Sequence, residues 1–137
     1  MRAKPHTRWQ RERGQSTVET TIMLVIVFMV AFWIFELGWL MYTYSVLADA
    51  ANEGVRYAVV HSGGDVAGTQ ARVKAFAAAS LHDISGMPTP SVTFPDGSAT
   101  PPNRVRVTVS YKYIPYITTT TISPTMQAYA EGRMVAQ

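Results

Sequence analysis

The chain has no cysteine among its 137 residues, so no disulfide staples any part of it and no thiolate can serve as nucleophile or metal ligand. Its three histidines, His6, His61 and His82, stand far apart and share no metal-ligand spacing with each other or with carboxylates. The sequence contains no Gly-x-x-x-x-Gly-Lys-Ser/Thr loop to cradle a nucleotide's phosphates and no Gly-x-Ser-x-Gly nucleophile turn. Basic residues are scarce where a nucleic-acid surface would need them. Residues 1–14 carry five Lys/Arg (Arg2, Lys4, Arg8, Arg11, Arg13) against Glu12, a net of +4, while residues 15–137 carry seven against eight acids, a net of −1. The pI near 9.4 therefore describes a short N-terminal segment, and the remaining chain has no basic face for nucleic acid.

What the sequence does have is one long apolar run. Residues 22–35 are apolar without a break, Glu36 interrupts, and apolar character resumes through Tyr42. As a helix, residues 22–42 would be about 31 Å long, the thickness of a bilayer's hydrocarbon core. The basic residues ahead of the run predict a cytoplasmic N-terminus, with the rest of the chain on the far side. Trp33, Trp39, Tyr42 and Tyr44 gather toward the outer end as an aromatic belt, and Trp9 flanks the inner one. The chain reads as a single-pass membrane protein carrying one small folded domain of about ninety residues.

A cleaved secretory signal is a rival reading, because Ala48-Asp49-Ala50 has the small-x-small form of a cleavage site. Against it, the apolar core is longer than such signals use, contains Glu36, and ends before that site. A permanent signal anchor accounts for the charges and the length, but not for the acids or for the polar stretch Gly14-Gln15-Ser16-Thr17-Val18-Glu19 abutting the membrane.

Beyond the membrane no proline interrupts residues 42–61, and Leu40, Tyr44, Leu47, Ala51, Gly54 and Ala58 form one apolar stripe at alternating spacings of four and three. The stripe narrows to Ala and Gly, which admits a closely packed neighbour. Ser45, Asp49, Asn52, Glu53 and Arg56 lie opposite, and the three-residue spacing of Glu53 and Arg56 allows a weak surface pair. Ser62-Gly63-Gly64-Asp65 ends this helix and offers Asp65 as the next N-cap. A second amphipathic helix is expected over residues 68–81, with Ala71, Val73, Ala75, Phe76, Ala78, Ala79 and Leu81 apolar and Arg72 and Lys74 exposed. Residues 91–94 are strand-like and Pro95-Asp96-Gly97 reads as a turn. Residues 103–114 are the clearest strand, with Val105, Val107, Val109, Tyr111 and Tyr113 alternating with polar residues. Residues 126–135 suit a returning antiparallel strand, with Met126, Ala128, Ala130 and Met134 on one face. The conformation of Thr118, Thr119, Thr120 and Thr121 stays open. The expected fold class is α+β: a long N-terminal transmembrane helix running into a small extracytoplasmic domain with a second helix and an antiparallel sheet.

A basic leader ending in Gly14, with Glu19 five residues on and an apolar helix after it, resembles the processing site of type IV pilin-like precursors. Glu36-Leu37-Gly38, followed by Asp49-Ala50-Ala51-Asn52-Glu53-Gly54-Val55-Arg56-Tyr57-Ala58, resembles the TadE-like family of the tight-adherence pilus machinery. The sequence departs from that family's pattern at Thr20, where an aromatic is usual, and at Trp39, where arginine is usual. The resemblance covers residues 11–60 strongly and the strands loosely.

It implies cleavage by a prepilin peptidase between Gly14 and Gln15, with residues 1–14 as leader, 15–44 as the transmembrane region and 45–137 as the extracytoplasmic domain. It further implies a bacterial inner-membrane location and a non-catalytic minor pilin or pseudopilin, with no cofactor and no metal. The partners would be other pilin-like subunits, the inner-membrane assembly platform, the peptidase and the lipid bilayer. Glu19, Glu36, Gly38, Glu53, Gly54 and Arg56 would carry subunit or partner contacts. The alternative is a signal-anchored envelope protein whose domain binds or scaffolds without entering a filament.

Glu19 then has two readings. It compensates the helix macrodipole at the interface, worth about 0.3–1 kcal/mol, or it pairs with the new ammonium at Gln15 of its own or a neighbouring subunit. Glu36 is either an interfacial acid or an intramembrane contact, since a charge at a helix centre costs on the order of 2.5–3.5 kcal/mol. The two acids lie about 25 Å apart along a helix at 1.5 Å per residue, too far to share a water as a protease pair would.

Overall fold

The protein is described from a computed structural model covering residues 8–61, 64–116 and 123–135. The four threonines 118–121 lie outside the described residues, as do Ser62 and Gly63. The chain divides into two compact units, Met1–Leu37 and Gly38–Gln137.

Helix α1 runs Arg8–Val60. In the first unit it is the whole described structure. The β-branched residues there are only modest helix formers in water, but in lipid a lone segment must satisfy every backbone group internally, and a helix does so. The apolar side chains of residues 22–35 are exposed almost throughout. The best 18-residue window of the helix has a mean hydropathy of 2.3 with none of it buried. By length and composition the helix can cross a membrane.

In the second unit α1 is joined by α2 (Val66–Ser80), β1 (Ser91–Thr93), β2 (Arg104–Lys112) and β3 (Thr125–Arg133). The strands form an antiparallel sheet in the order β1-β2-β3, with Val107 opposite Val92 on one side and Ala130 on the other. The layout is α+β, as expected. Val105, Val107, Val109, Tyr111 and Tyr113 are buried with Met126, Ala128, Ala130 and Met134, so the alternation read from the sequence is the alternation seen. The opposite sheet face carries Arg104, Arg106, Gln127, Tyr129 and Glu131 to solvent.

Helix α2 starts where expected. The Asp65 carboxylate accepts the Gly68 N–H at 2.8 Å, an N-cap worth about 1 kcal/mol. That bond, and then the Tyr57 hydroxyl that donates to the other carboxylate oxygen at 3.0 Å, hold the Asp65 pKa below its ordinary value. From there α2 runs back antiparallel along α1. Arg72 on α2 donates to Glu53 at 2.8 and 3.0 Å, and Tyr42 donates to the Ser80 carbonyl at 3.4 Å. Glu53 thus pairs across the two helices with Arg72 rather than along its own helix with Arg56. As a half-exposed pair it adds about 0.2–1 kcal/mol.

The buried faces of both helices differ from the expected ones in the same way. Thr43 is buried on α1 and Tyr44 faces out, and α2 buries Thr69, Val73 and Ala77 while Ala71, Ala75, Ala78 and Ala79 are exposed. Each buried threonine donates its hydroxyl four residues back, Thr43 to the Trp39 carbonyl and Thr69 to the Asp65 carbonyl, both at 2.9 Å. With the hydroxyl satisfied, threonine packs like a small β-branched apolar residue. Alanine carries little directional information, because it is the best helix former on either face.

Small residues set the helix–sheet distance. A Cβ on Gly54 would lie 2.5 Å from Val73 Cγ2 and 3.1 Å from Val107 Cγ1, so α1, α2 and β2 converge at this position. On β3, a Cβ on Gly132 would lie 2.5 Å from Val55 Cγ1 and 3.2 Å from Val59 Cγ2.

At one end of the sheet, Arg104 binds Asp96 at 2.9 Å and reaches Glu131 at 3.7 Å, while Glu131 also pairs with Arg106. The Arg104 guanidinium and its backbone N–H pull the Asp96 pKa from 3.8 to about 2. A carboxylate whose folded pKa is depressed contributes its stabilisation above the unfolded value and loses it as pH falls through the folded one. Acid titration of the full chain in detergent should therefore show stability falling between about pH 4 and pH 2. Asp96→Asn is expected to be less stable at neutral pH and to flatten that limb. An unchanged limb would remove Asp96 from the account.

Candidate functional site

The residues singled out for processing and contact all lie on α1, and the structure sorts them. Gly14, Gln15 and Glu19 are exposed on the helix. The hydroxyls of Thr20 and Thr21 donate to the carbonyls of Ser16 and Thr17 at 2.9 and 2.8 Å, which satisfies them within the helix beside the apolar run. Glu19 borders a shallow open groove with Ser16, Thr20, Met23, Leu24 and Val27, so its carboxylate sits where polar and apolar surface meet.

Glu36 is half-buried and Gly38 is exposed, with open space where a Cβ would be. A glycine inside a helix costs about 1 kcal/mol relative to alanine, and nothing within the unit's own packing requires one at Gly38. Seventeen positions separate Glu19 from Glu36, a turn of about 100° around the axis at 3.6 residues per turn, so the acids occupy different faces. Glu53 and Gly54 are engaged internally, by Arg72 and by Val73 with Val107, while Arg56 is exposed. Outward-facing groups are therefore Gln15, Glu19, Gly38 and Arg56. No group of His, Asp and Glu among the described residues is arranged to hold a metal ion.

One cluster escaped the sequence reading. The rings of Trp39 and Tyr116 meet edge to face at 5.0 Å, His82 stacks on Tyr116 at 4.5 Å, and Tyr42 lies 5.1 Å from Trp39. Trp39 and His82 complete the group at 5.8 Å. His82 follows α2 and Tyr116 follows β2, so no local periodicity links them to Trp39. Trp39 and Tyr42 already belong to the aromatic belt; that His82 and Tyr116 join them leaves no signal in local spacing.

Fold and outward-facing residues together define a small α+β unit built on the continuation of an N-terminal helix of membrane-crossing length. Residues 14–56 match the family model described as TadE-like protein. The match begins at Gly14 and ends at Arg56, and so includes every candidate residue above. It supports a pilin-like protein associated with pilus components in general. No curated protein and no solved structure matches the chain.

Proposed function

We propose that the chain is a TadE-like minor pilin or pseudopilin that takes part in assembling a tight-adherence pilus and performs no catalysis itself. The observation that carries this reading is the family match over residues 14–56, which opens at the glycine of the expected processing site. The five Lys/Arg of residues 1–14 favour a cytoplasmic N-terminus and a C-terminal unit outside the bacterial inner membrane. In this reading the peptidase cuts after Gly14, and the ammonium of Gln15 pairs with Glu19 of the same or a neighbouring subunit. Because Glu19 and Glu36 face different ways, each would serve a different neighbour, or one a subunit and the other the assembly platform. Gly38 would let a neighbouring helix approach closely just where the apolar run ends.

A second reading has its own support. Gly14 lies inside α1, and a peptidase needs its scissile bond extended, so a permanent anchor is the alternative if local unwinding does not occur. The intact mass of the membrane-extracted protein separates the two, measured in hosts with and without a prepilin peptidase. Loss of residues 1–14 only where the peptidase is present is the expected result, and Gly14→Ala should abolish that loss. Glu19→Ala should then reduce piliation while leaving the amount of membrane-inserted protein unchanged. A full-length mass in both hosts would remove the filament-subunit mechanism.

A further inference from the structure

We propose that Trp39, Tyr42, His82 and Tyr116 form a collar that seats one edge of the C-terminal unit in the head-group layer of a phospholipid bilayer. This rests on the reading of α1 as a membrane anchor.

The first argument is position. Trp39 stands two residues beyond Leu37 on the same helix, where the apolar run gives way to the C-terminal unit. Where the outer edge of the hydrocarbon falls near Leu37, Trp39 and Tyr42 lie at head-group depth by helical rise. His82 and Tyr116 meet the Trp39 ring and therefore reach the same depth, although they belong to other elements.

The second argument is rigidity. Antiparallel α2 brings the chain back beside Tyr42, whose hydroxyl donates to the Ser80 carbonyl at 3.4 Å. The loop after α2 is then fastened to the end of β2 twice. Tyr111 donates to the Asp83 carbonyl at 2.8 Å, and the Lys112 N–H donates to the Gly86 carbonyl at 2.8 Å. Tyr111 is 1 % exposed, so its bond is shielded from competing water. The loop that follows His82 and the end of β2, four residues before Tyr116, are thus fastened to each other by the fold.

The third argument is chemistry. Tyr116 is 56 % exposed and Tyr42 45 % exposed, and His82 is exposed as well. Indole, phenol and imidazole each combine an apolar ring with a hydrogen-bonding edge, the pairing that the glycerol and carbonyl layer of a bilayer accommodates. Met41, 71 % exposed, continues the apolar surface on α1, and Lys112, exposed at the same end of β2, suits a head-group phosphate. The opposite end of the sheet carries the Asp96–Arg104–Glu131 ion pairs, which belong in water.

The lack of native cysteine makes the test direct. Nitroxides are placed singly at Val27→Cys, Ser85→Cys and Val135→Cys in the full chain, reconstituted in vesicles of phosphatidylethanolamine and phosphatidylglycerol. Collision with lipid-soluble oxygen and with a water-soluble nickel chelate then reports depth. Val27 should be deep, Val135 aqueous, and Ser85 several-fold less accessible to nickel than Val135 while remaining open to oxygen. The double change His82→Ser with Tyr116→Ser, at two exposed positions, should bring the nickel accessibility of Ser85 close to that of Val135. If Ser85 is already as accessible as Val135 while Val27 is deep, the anchor stands and the collar is wrong. If Ser85 stays shielded after both serines are introduced, the aromatic rings are not the cause and the proposal fails. Shielding of Ser85 from both quenchers would replace the bilayer with a protein partner. A water-accessible Val27 would overturn the anchor reading itself.

Discussion

Gly54→Leu is expected to unfold the C-terminal unit, and Gly54→Ala to destabilise it by about 1–3 kcal/mol. The reason is geometric. A single added carbon at Gly54 falls 2.5 Å from Val73 Cγ2 and 3.1 Å from Val107 Cγ1, and both valines are fully buried. Neither can swing aside, because a β-branched side chain has few χ1 choices and the core around it is filled. Alanine would otherwise be the better helix former by about 1 kcal/mol, so overpacking must exceed that gain for the sign to hold. The check is thermal unfolding of the full chain in detergent, read by tyrosine near-ultraviolet dichroism, since the apolar part of α1 stays helical in the micelle. Val73→Ala combined with Gly54→Ala should be less damaging than the sum of the two single changes, the signature of residues in contact. Strict additivity would show that the three elements do not converge at Gly54.

Leu47→Ala carries the other large effect. On its buried face in this unit α1 presents mostly alanine, glycine and valine, and Leu47, with no exposed surface, is its largest apolar side chain there. Truncation leaves a cavity among neighbours that cannot collapse far, at a cost of about 2–5 kcal/mol. For a domain of this size that lowers the melting temperature by at least roughly 8 °C. Tyr44→Ala, three positions away and 51 % exposed, should stay within about 0.5 kcal/mol of the parent. The pair separates the buried face from its neighbour, because a sequence stripe drawn through Tyr44 predicts the reverse for that residue.

These two substitutions also mark what could be read in advance. The sheet was legible almost residue by residue, because a strand with one buried face alternates strictly and Val105 to Tyr113 does so without error. The narrowing of α1 to small residues was legible too, and at Gly54 an added Cβ would meet both α2 and β2. The helix faces were less so, since Thr43 and Thr69 count as polar until their hydroxyls are seen to be satisfied four residues back. The partner of Glu53 was invisible, as Arg72 becomes its neighbour only once α2 doubles back along α1. For the same reason the contact of Trp39 with Tyr116 leaves no trace in local spacing. The candidate contact residues Glu19, Glu36 and Gly38 were found by pattern, and the structure adds which way they face.

Within the C-terminal unit α1 is a wall of the core, with Thr43, Val46, Leu47, Ala50, Ala51, Val55 and Ala58 all buried against the rest of the unit. Anyone wishing to prepare the C-terminal unit as a free fragment must therefore keep this part of α1 intact. Trimming at Ala50, where a signal-type site is spelled out, would remove Thr43, Val46 and Leu47 together and leave only the last part of α1, with Ala51, Val55 and Ala58, against the sheet. A workable truncation must start near Gly38 and supply a new N-cap for the helix end it creates. Its exposed rings Tyr42 and Tyr116 would face water, so such a fragment should be handled as aggregation-prone from the outset.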